Sequence, residues 1–144
     1  MKWNQILWEL PQTLVGWIIS KCVKIESREY INGRCLIIFK KDNWFSNLIS
    51  GTSLGYYILL PVVRDEVTVR HEYGHCLQSK KWGWLYIPII GLPSICNNLR
   101  GRKVYKNMVY EEVQKDYYNR YPEKEADELG GVVWVDGVRV VKHT

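Results

Sequence analysis

The stretch "TVRHEYGHCLQSKKWG", residues 68–83, decides how this chain is read. It holds two of the chain's three histidines, His71 and His75, four residues apart, with Glu72 directly after the first. Asp65 and Glu66 stand just ahead of it, where the positive end of a helix dipole favours negative charge, so a helix is predicted from there to about Lys81. On such a helix, residues four apart project from one face, one turn apart, and both imidazoles can reach a single ion. Glu72, one position further round, can stand beside that ion rather than bind it, placed to take a proton from an attacking water.

Zinc matches this donor set, because it accepts imidazole nitrogen, takes about four ligands, and in catalytic sites leaves one position for water. One Zn2+ per chain is therefore expected, and a third protein ligand has to come from elsewhere. The extended spacing H-E-x-x-H-x-x-G-x-x-H would need Gly at position 78 and His at 81, but Gln78 and Lys81 stand there. His143, the one other histidine, lies one residue from the end of the sequence, where fraying makes a poor anchor. A carboxylate suits better. In "YPEKEADELGG", residues 121–131, Glu123 and Asp127 are four apart on a second expected helix, with Pro122 suited to its first turn and Gly130-Gly131 to its end. One could bind the ion while the other, a turn on, accepts the free N–H of a ligating histidine. Ala126, beside them, is small enough to let two helices approach. Glu112 with Asp116 offers the same spacing, and acidic residues near a helix start also simply complement its dipole. Local chemistry does not choose between the two pairs.

"HEYGH" followed by "EKEAD" resembles the gluzincin zinc metallopeptidases, whose third ligand is the first Glu of an E-x-x-A-D or E-x-x-x-D element on a second helix. The A-D ending is most similar to the soluble minigluzincins and to the integral-membrane prenyl-protein peptidase group. The wider wording, "SLGYYILLP", "HEYGHCLQS", "IIGLPS" and "EKEADELGGV", also looks like a set of small uncharacterised bacterial proteins. The resemblance spans residues 53–132, the motif-bearing core of the chain. It implies His71, His75 and Glu123 as ligands, Glu72 as the catalytic base and Asp127 as the acid that steadies a ligand. It implies a zincin-like α+β fold, with a small antiparallel sheet packed on the motif helix and the second helix, and hydrolysis of a peptide or protein substrate. The strand before the motif helix, with Tyr56, Tyr57, Ile58 and Leu59, would edge the substrate cleft. A Tyr, His or Arg commonly steadies the oxyanion in gluzincins; Tyr117, Tyr118, Arg120 and Tyr121 are on offer, with nothing to choose among them. The prenyl-protein group has several spanning helices and this chain no clear one, so neither its topology nor its lipidated substrate carries over.

The remaining sequence is read as one domain, residues 1–144, with 47% hydrophobic and 24% charged residues in the range of folded proteins. "CVKIESREYINGRCLIIFKKDNW", residues 22–44, predicts a hairpin about Asn32-Gly33, and "VVWVDGVRVV", residues 132–141, a smaller one about Asp136-Gly137. "SNLISGTSLGYYILLP", residues 46–61, reads as a polar, Gly-rich lead-in to a third strand from Tyr56 to Leu60 that Pro61 ends. "WLYIPIIGLPSICNNLRG", residues 84–101, is apolar but broken by Pro88, Gly91 and Pro93, too punctuated to span a bilayer as one straight helix. No internal repeat or low-complexity linker is present.

Residues 1–21 are expected to form an amphipathic helix. Glu9, Pro11 and Gln12 interrupt it, and its longest apolar run, Leu14 to Ile19, is far shorter than the roughly 20 residues a spanning helix requires. Trp3, Leu7, Leu10, Leu14, Trp17 and Ile18 fall near one face, expected to pack on the domain, with contact to a membrane surface as the alternative. Seven Trp and ten Tyr suit an aromatic core or a half-wet surface. Cys22, Cys35, Cys76 and Cys96 lack metal-binding spacing and read as reduced, mostly buried thiols, with a Cys22–Cys35 bridge as the alternative. The net charge of +5 gathers at Lys80, Lys81, Arg100, Arg102, Lys103 and Lys106, and no nucleic-acid motif accompanies it, so nucleic acid is not expected as a partner. The expected location is the cytoplasm or the cytoplasmic face of the membrane, with peripheral contact through the N-terminal helix and Trp84 to Cys96. Two functions follow: a zinc metallopeptidase, or a membrane-apposed binding or scaffold protein whose zinc site is structural or vestigial.

Overall fold

A computed structural model describes residues 3–142, so His143 lies outside the described residues. In chain order the elements are α1 (Trp3–Trp8), α2 (Leu10–Cys22), β1 (Lys24–Ile31), β2 (Arg34–Lys40), α3 (Trp44–Leu48), β3 (Thr52–Leu54) and β4 (Tyr57–Pro61). There follow α4 (Glu66–Trp82), α5 (Leu92–Val104), α6 (Tyr110–Tyr118), α7 (Glu123–Gly130), β5 (Val132–Val135) and β6 (Val138–Val141). The fold is α+β.

The apolar run of β2 explains the core. Cys35, Ile37 and Phe39 point to one side of the sheet, where they meet Leu59, Val23 and Ile19. Leu36 and Ile38 point to the other, against Ile58, Leu60 and Cys76 of α4. A strand buried on both faces reads as continuous apolar sequence rather than as an alternation. The strand order is β1-β2-β4-β3, with β1–β2 and β3–β4 antiparallel and β2–β4 parallel. The expected antiparallel sheet is therefore mixed. The segment between β2 and β4 is a crossover long enough to return the chain to the same end of the sheet, which a hairpin turn cannot do. Both expected turns form, with Asn32 and Asp136 in left-handed backbone ahead of Gly33 and Gly137.

The expected edge strand needs correction. Tyr57, Ile58 and Leu59 lie in β4, bonded on both sides between β2 and β3, and Tyr56 sits in the turn before it. The edge on this side of the sheet is β3, Thr52–Leu54, a three-residue strand between Gly51 and Gly55 that is too short to show an alternation in sequence.

The motif helix runs as expected. Asp65 caps α4 by accepting the Thr68 N–H at 2.8 Å. Against it lies α7, so close that a Cβ built on Gly74 would collide with the Ala126 carbonyl, and one on Gly130 with the Arg70 carbonyl. Between α4 and α5 the chain stays helical, with Pro88 and Pro93 each in the first turn of a new piece, where their missing N–H costs no hydrogen bond. Among the described residues no helix is long and apolar enough to cross a membrane.

The N-terminal segment reverses its expectation. It is two helices, broken at Glu9, and its apolar stripe does not pack: Trp3 is 82% exposed, Leu14 52% and Trp17 48%. The buried face carries Glu9, Gln12, Gly16 and Ser20. Polar anchors account for this. Arg34 clamps the Glu9 carboxylate at 2.8 and 3.1 Å, and Gln12 Nε2 donates to Ser79 Oγ and the Gly83 carbonyl. The four cysteines are free, so the Cys22–Cys35 bridge is absent; Cys22 and Cys96 are exposed rather than buried.

Candidate metal centre

Helix α4 presents His71 and His75 on one face, and α7 brings Glu123 to meet them. Glu123 Oε2 lies 3.1 Å from Nε2 of each histidine, and all three residues are buried. Their donor atoms fall within 4.8 Å of one another, so the group could hold a metal ion.

The other ring nitrogens define the protonation. His75 Nδ1 lies 2.7 Å from Gln78 Oε1, and the Gln78 amide is oriented by its Nε2, which donates to the Pro122 carbonyl and to Glu125 Oε2. His71 Nδ1 lies 2.7 Å from Asp127 Oδ1, a carboxylate that Arg139 grips from both oxygens at 2.6 and 2.9 Å. Both Nδ1 atoms thus face fixed acceptors, so that each imidazole in its neutral form would turn the Nε2 lone pair inward. The Glu123 carboxylate calls for a positive charge opposite it, which either protonated histidine or a metal ion can supply. Burial works against protonation of His71, yet its bonds to Asp127 and Glu123 outweigh this and raise it to about 9. Burial pushes Glu123 upward, but the two histidines hold it well below the usual carboxylate range.

Glu72 is buried beside this group without belonging to it. Ser53 Oγ lies 2.8 Å from Glu72 Oε2, and the Ser53 carbonyl accepts the Tyr86 hydroxyl at 2.8 Å, so edge strand β3 sets the position of the carboxylate. A cleft of about 750 Å³ opens over these residues. Thr52, Ser53 and Leu54 line it on one side, and Ser94, Tyr117 and Tyr118 on another.

The four candidates for steadying an oxyanion separate. Tyr117 and Tyr118 reach the cleft, whereas Arg120 is bonded twice to Asp116 and Tyr121 is turned to solvent. Burial raises both cleft hydroxyls, Tyr118 to about 12, with the Arg139 guanidinium over its ring acting in the opposite sense. Asp116 is taken by Arg120, Tyr105 and Arg100, and neither it nor Glu112 joins the metal group.

Sequence reasoning missed Gln78, Ser53, Ser94 and Arg139. Gln78 had a signal, since it lies three residues beyond His75 on the same helix face. Ser94, which donates to Glu123 Oε1 at 2.6 Å, comes from α5 and had none. No protein-family model matches the chain, and no curated protein or solved structure matches it either.

Proposed function

We propose that this chain is a zinc-dependent peptidase with a zincin-like arrangement of motif helix, second helix and edge strand. The observation that carries the reading is the single Glu123 oxygen 3.1 Å from both Nε2 atoms, with both Nδ1 atoms tied outward. His71, His75 and Glu123 would hold the ion, and two imidazoles with one carboxylate are a donor set that zinc accepts. Zinc, when bound, polarises a carbonyl oxygen and lowers the pKa of a water to about 7.

The chain's own residues supply the rest. Glu72 accepts a proton from the attacking water and returns it to the leaving amine, with Ser53 fixing the carboxylate through Oε2. The edge strand β3 borders the cleft and offers main-chain groups to an extended peptide. Tyr117 and Tyr118, raised well above their ordinary values, keep their hydroxyl protons and serve as donors to a developing oxyanion.

Three protein donors beneath an open cleft favour catalysis over a purely structural ion, since structural zinc sites are closed by four protein ligands. The test is Glu72→Gln, assayed against a mixed peptide library beside the wild type. Zinc content should be unchanged and hydrolysis should fall by at least about 100-fold. Equal activity in the variant removes Glu72 as the base, and no cleavage by zinc-loaded wild type defeats the peptidase reading.

A further inference from the structure

The outer face of α1 and α2 is built the wrong way round for a helix packed in water. Its buried stripe is polar and its exposed stripe apolar. Four of the seven tryptophans, Trp3, Trp8, Trp17 and Trp84, are at least 48% exposed in or beside this segment. Trp8 Nε1 donates to the Lys80 carbonyl and Trp84 Nε1 to the Leu7 carbonyl, so these polar N–H groups are satisfied internally while their rings remain exposed. Trp84 meets α1 at Leu7, and α5 carries a second ridge, the exposed Leu92, Ile95 and Leu99. The two ridges flank one opening, because Val15 and Ile19 of α2 and the same three residues of α5 line the cleft above the metal group.

Charge names the occupant. From Tyr73 to Tyr110 the sequence contains six Lys and Arg and no acidic residue; Lys81 pairs with Glu125 and Arg100 with Asp116, and Lys80, Arg102, Lys103 and Lys106 remain to carry the positive charge. In α1 and α2 the one acidic residue near the apolar stripe, Glu9, is buried in its pair with Arg34. Lys21 lies 5.6 Å from the centre of the Trp17 ring, an arrangement in which an apolar ring enters a boundary while a cation stays at its polar edge. A second copy of the chain would bring this basic surface against itself. An anionic bilayer meets both properties at once: apolar and Trp side chains enter the headgroup region and Lys and Arg meet the lipid charge.

We propose that the outer faces of α1, α2 and α5 form a docking surface for an anionic lipid bilayer, and that the metal cleft opens at that surface. The docking is independent of zinc and of catalysis.

The experiment is co-sedimentation of the full chain with vesicles of equal parts phosphatidylglycerol and phosphatidylcholine, with vesicles of phosphatidylcholine alone beside them. Binding to the anionic vesicles is expected, with a blue shift of tryptophan emission, weakening as salt is raised, and no change on adding a chelator. Lys103→Gln and Lys21→Gln should each weaken binding by roughly fivefold. Leu14→Glu with Ile18→Glu should abolish it, and their exposed positions leave the fold intact, as thermal melting by circular dichroism would show. Absence of binding, or equal binding to both vesicle types, overturns the proposal. So does a dimer in sedimentation velocity that the Leu14→Glu, Ile18→Glu variant dissolves.

Discussion

Nδ1 of His71 lies 2.7 Å from Oδ1 of Asp127, and Arg139 of β6 holds the same carboxylate through both of its oxygens. The His71 ring on the motif helix is thereby oriented by the second helix and by the C-terminal hairpin together. Asp127→Asn keeps the shape but loses the charge that pairs with Arg139, and its amide can turn a donor toward Nδ1. Zinc affinity should fall by about 10- to 100-fold, measured by competition with a chromophoric chelator. Unchanged affinity would show that the contact does not tune the site.

Glu123 and Glu112 offered equal spacing in sequence, and their environments differ completely. Elemental analysis should find about one zinc per chain in the wild type and in Glu112→Ala, with loss in His71→Ala and Glu123→Ala. Retention in Glu123→Ala would move the third ligand elsewhere.

Gly74, inside the motif itself, is required by packing. Its α-carbon faces the Ala126 carbonyl, and an added methyl group has no flexible neighbour to displace, only backbone of α7. Gly74→Ala should destabilise by about 3 kcal/mol or more in urea unfolding and weaken zinc binding at the same time, because Glu123 and Asp127 ride on the displaced helix.

The Glu9–Arg34 pair has side chains 0% and 4% exposed, and Arg34 also donates to the Gly55 and Cys76 carbonyls. Glu9→Gln leaves the guanidinium buried without its counter-charge. A loss of about 3–5 kcal/mol is expected in urea unfolding. A loss below about 1 kcal/mol would place the pair in water rather than in the interior.

Asp116 joins α5 to α6 through Arg120, Tyr105 and Arg100, and these bonds hold its carboxyl well below the ordinary range. A depressed value in the folded state means that the contribution is present above the unfolded value of about 3.9 and is lost as pH falls toward the native one. Asp116→Asn should therefore lower stability at neutral pH and show a shallower decline below about pH 4, as read from urea midpoints across pH.

What the sequence determined by itself is local. The four-residue spacing of His71 and His75, the two left-handed turns at Asn32-Gly33 and Asp136-Gly137, and the limits of α7 between Pro122 and Gly131 all depend on neighbours a few residues away. Helical spacing did not pair "HEYGH" with "EKEAD", because Glu112 and Asp116 carry the same spacing; the resemblance of the two motifs to a known family singled out Glu123. The direction in which each face points was decided only by the tertiary structure. Periodicity located the apolar stripe of α1 and α2 but could not assign it to core or surface, because that depended on Glu9 meeting Arg34 and Gln12 meeting Ser79, 67 residues away. The edge position of β3 and the grip of Arg139 on Asp127 have the same origin. Hydrogen bonds across the fold select among faces and strands that are equivalent along the chain, and only the folded backbone brings their partners within reach.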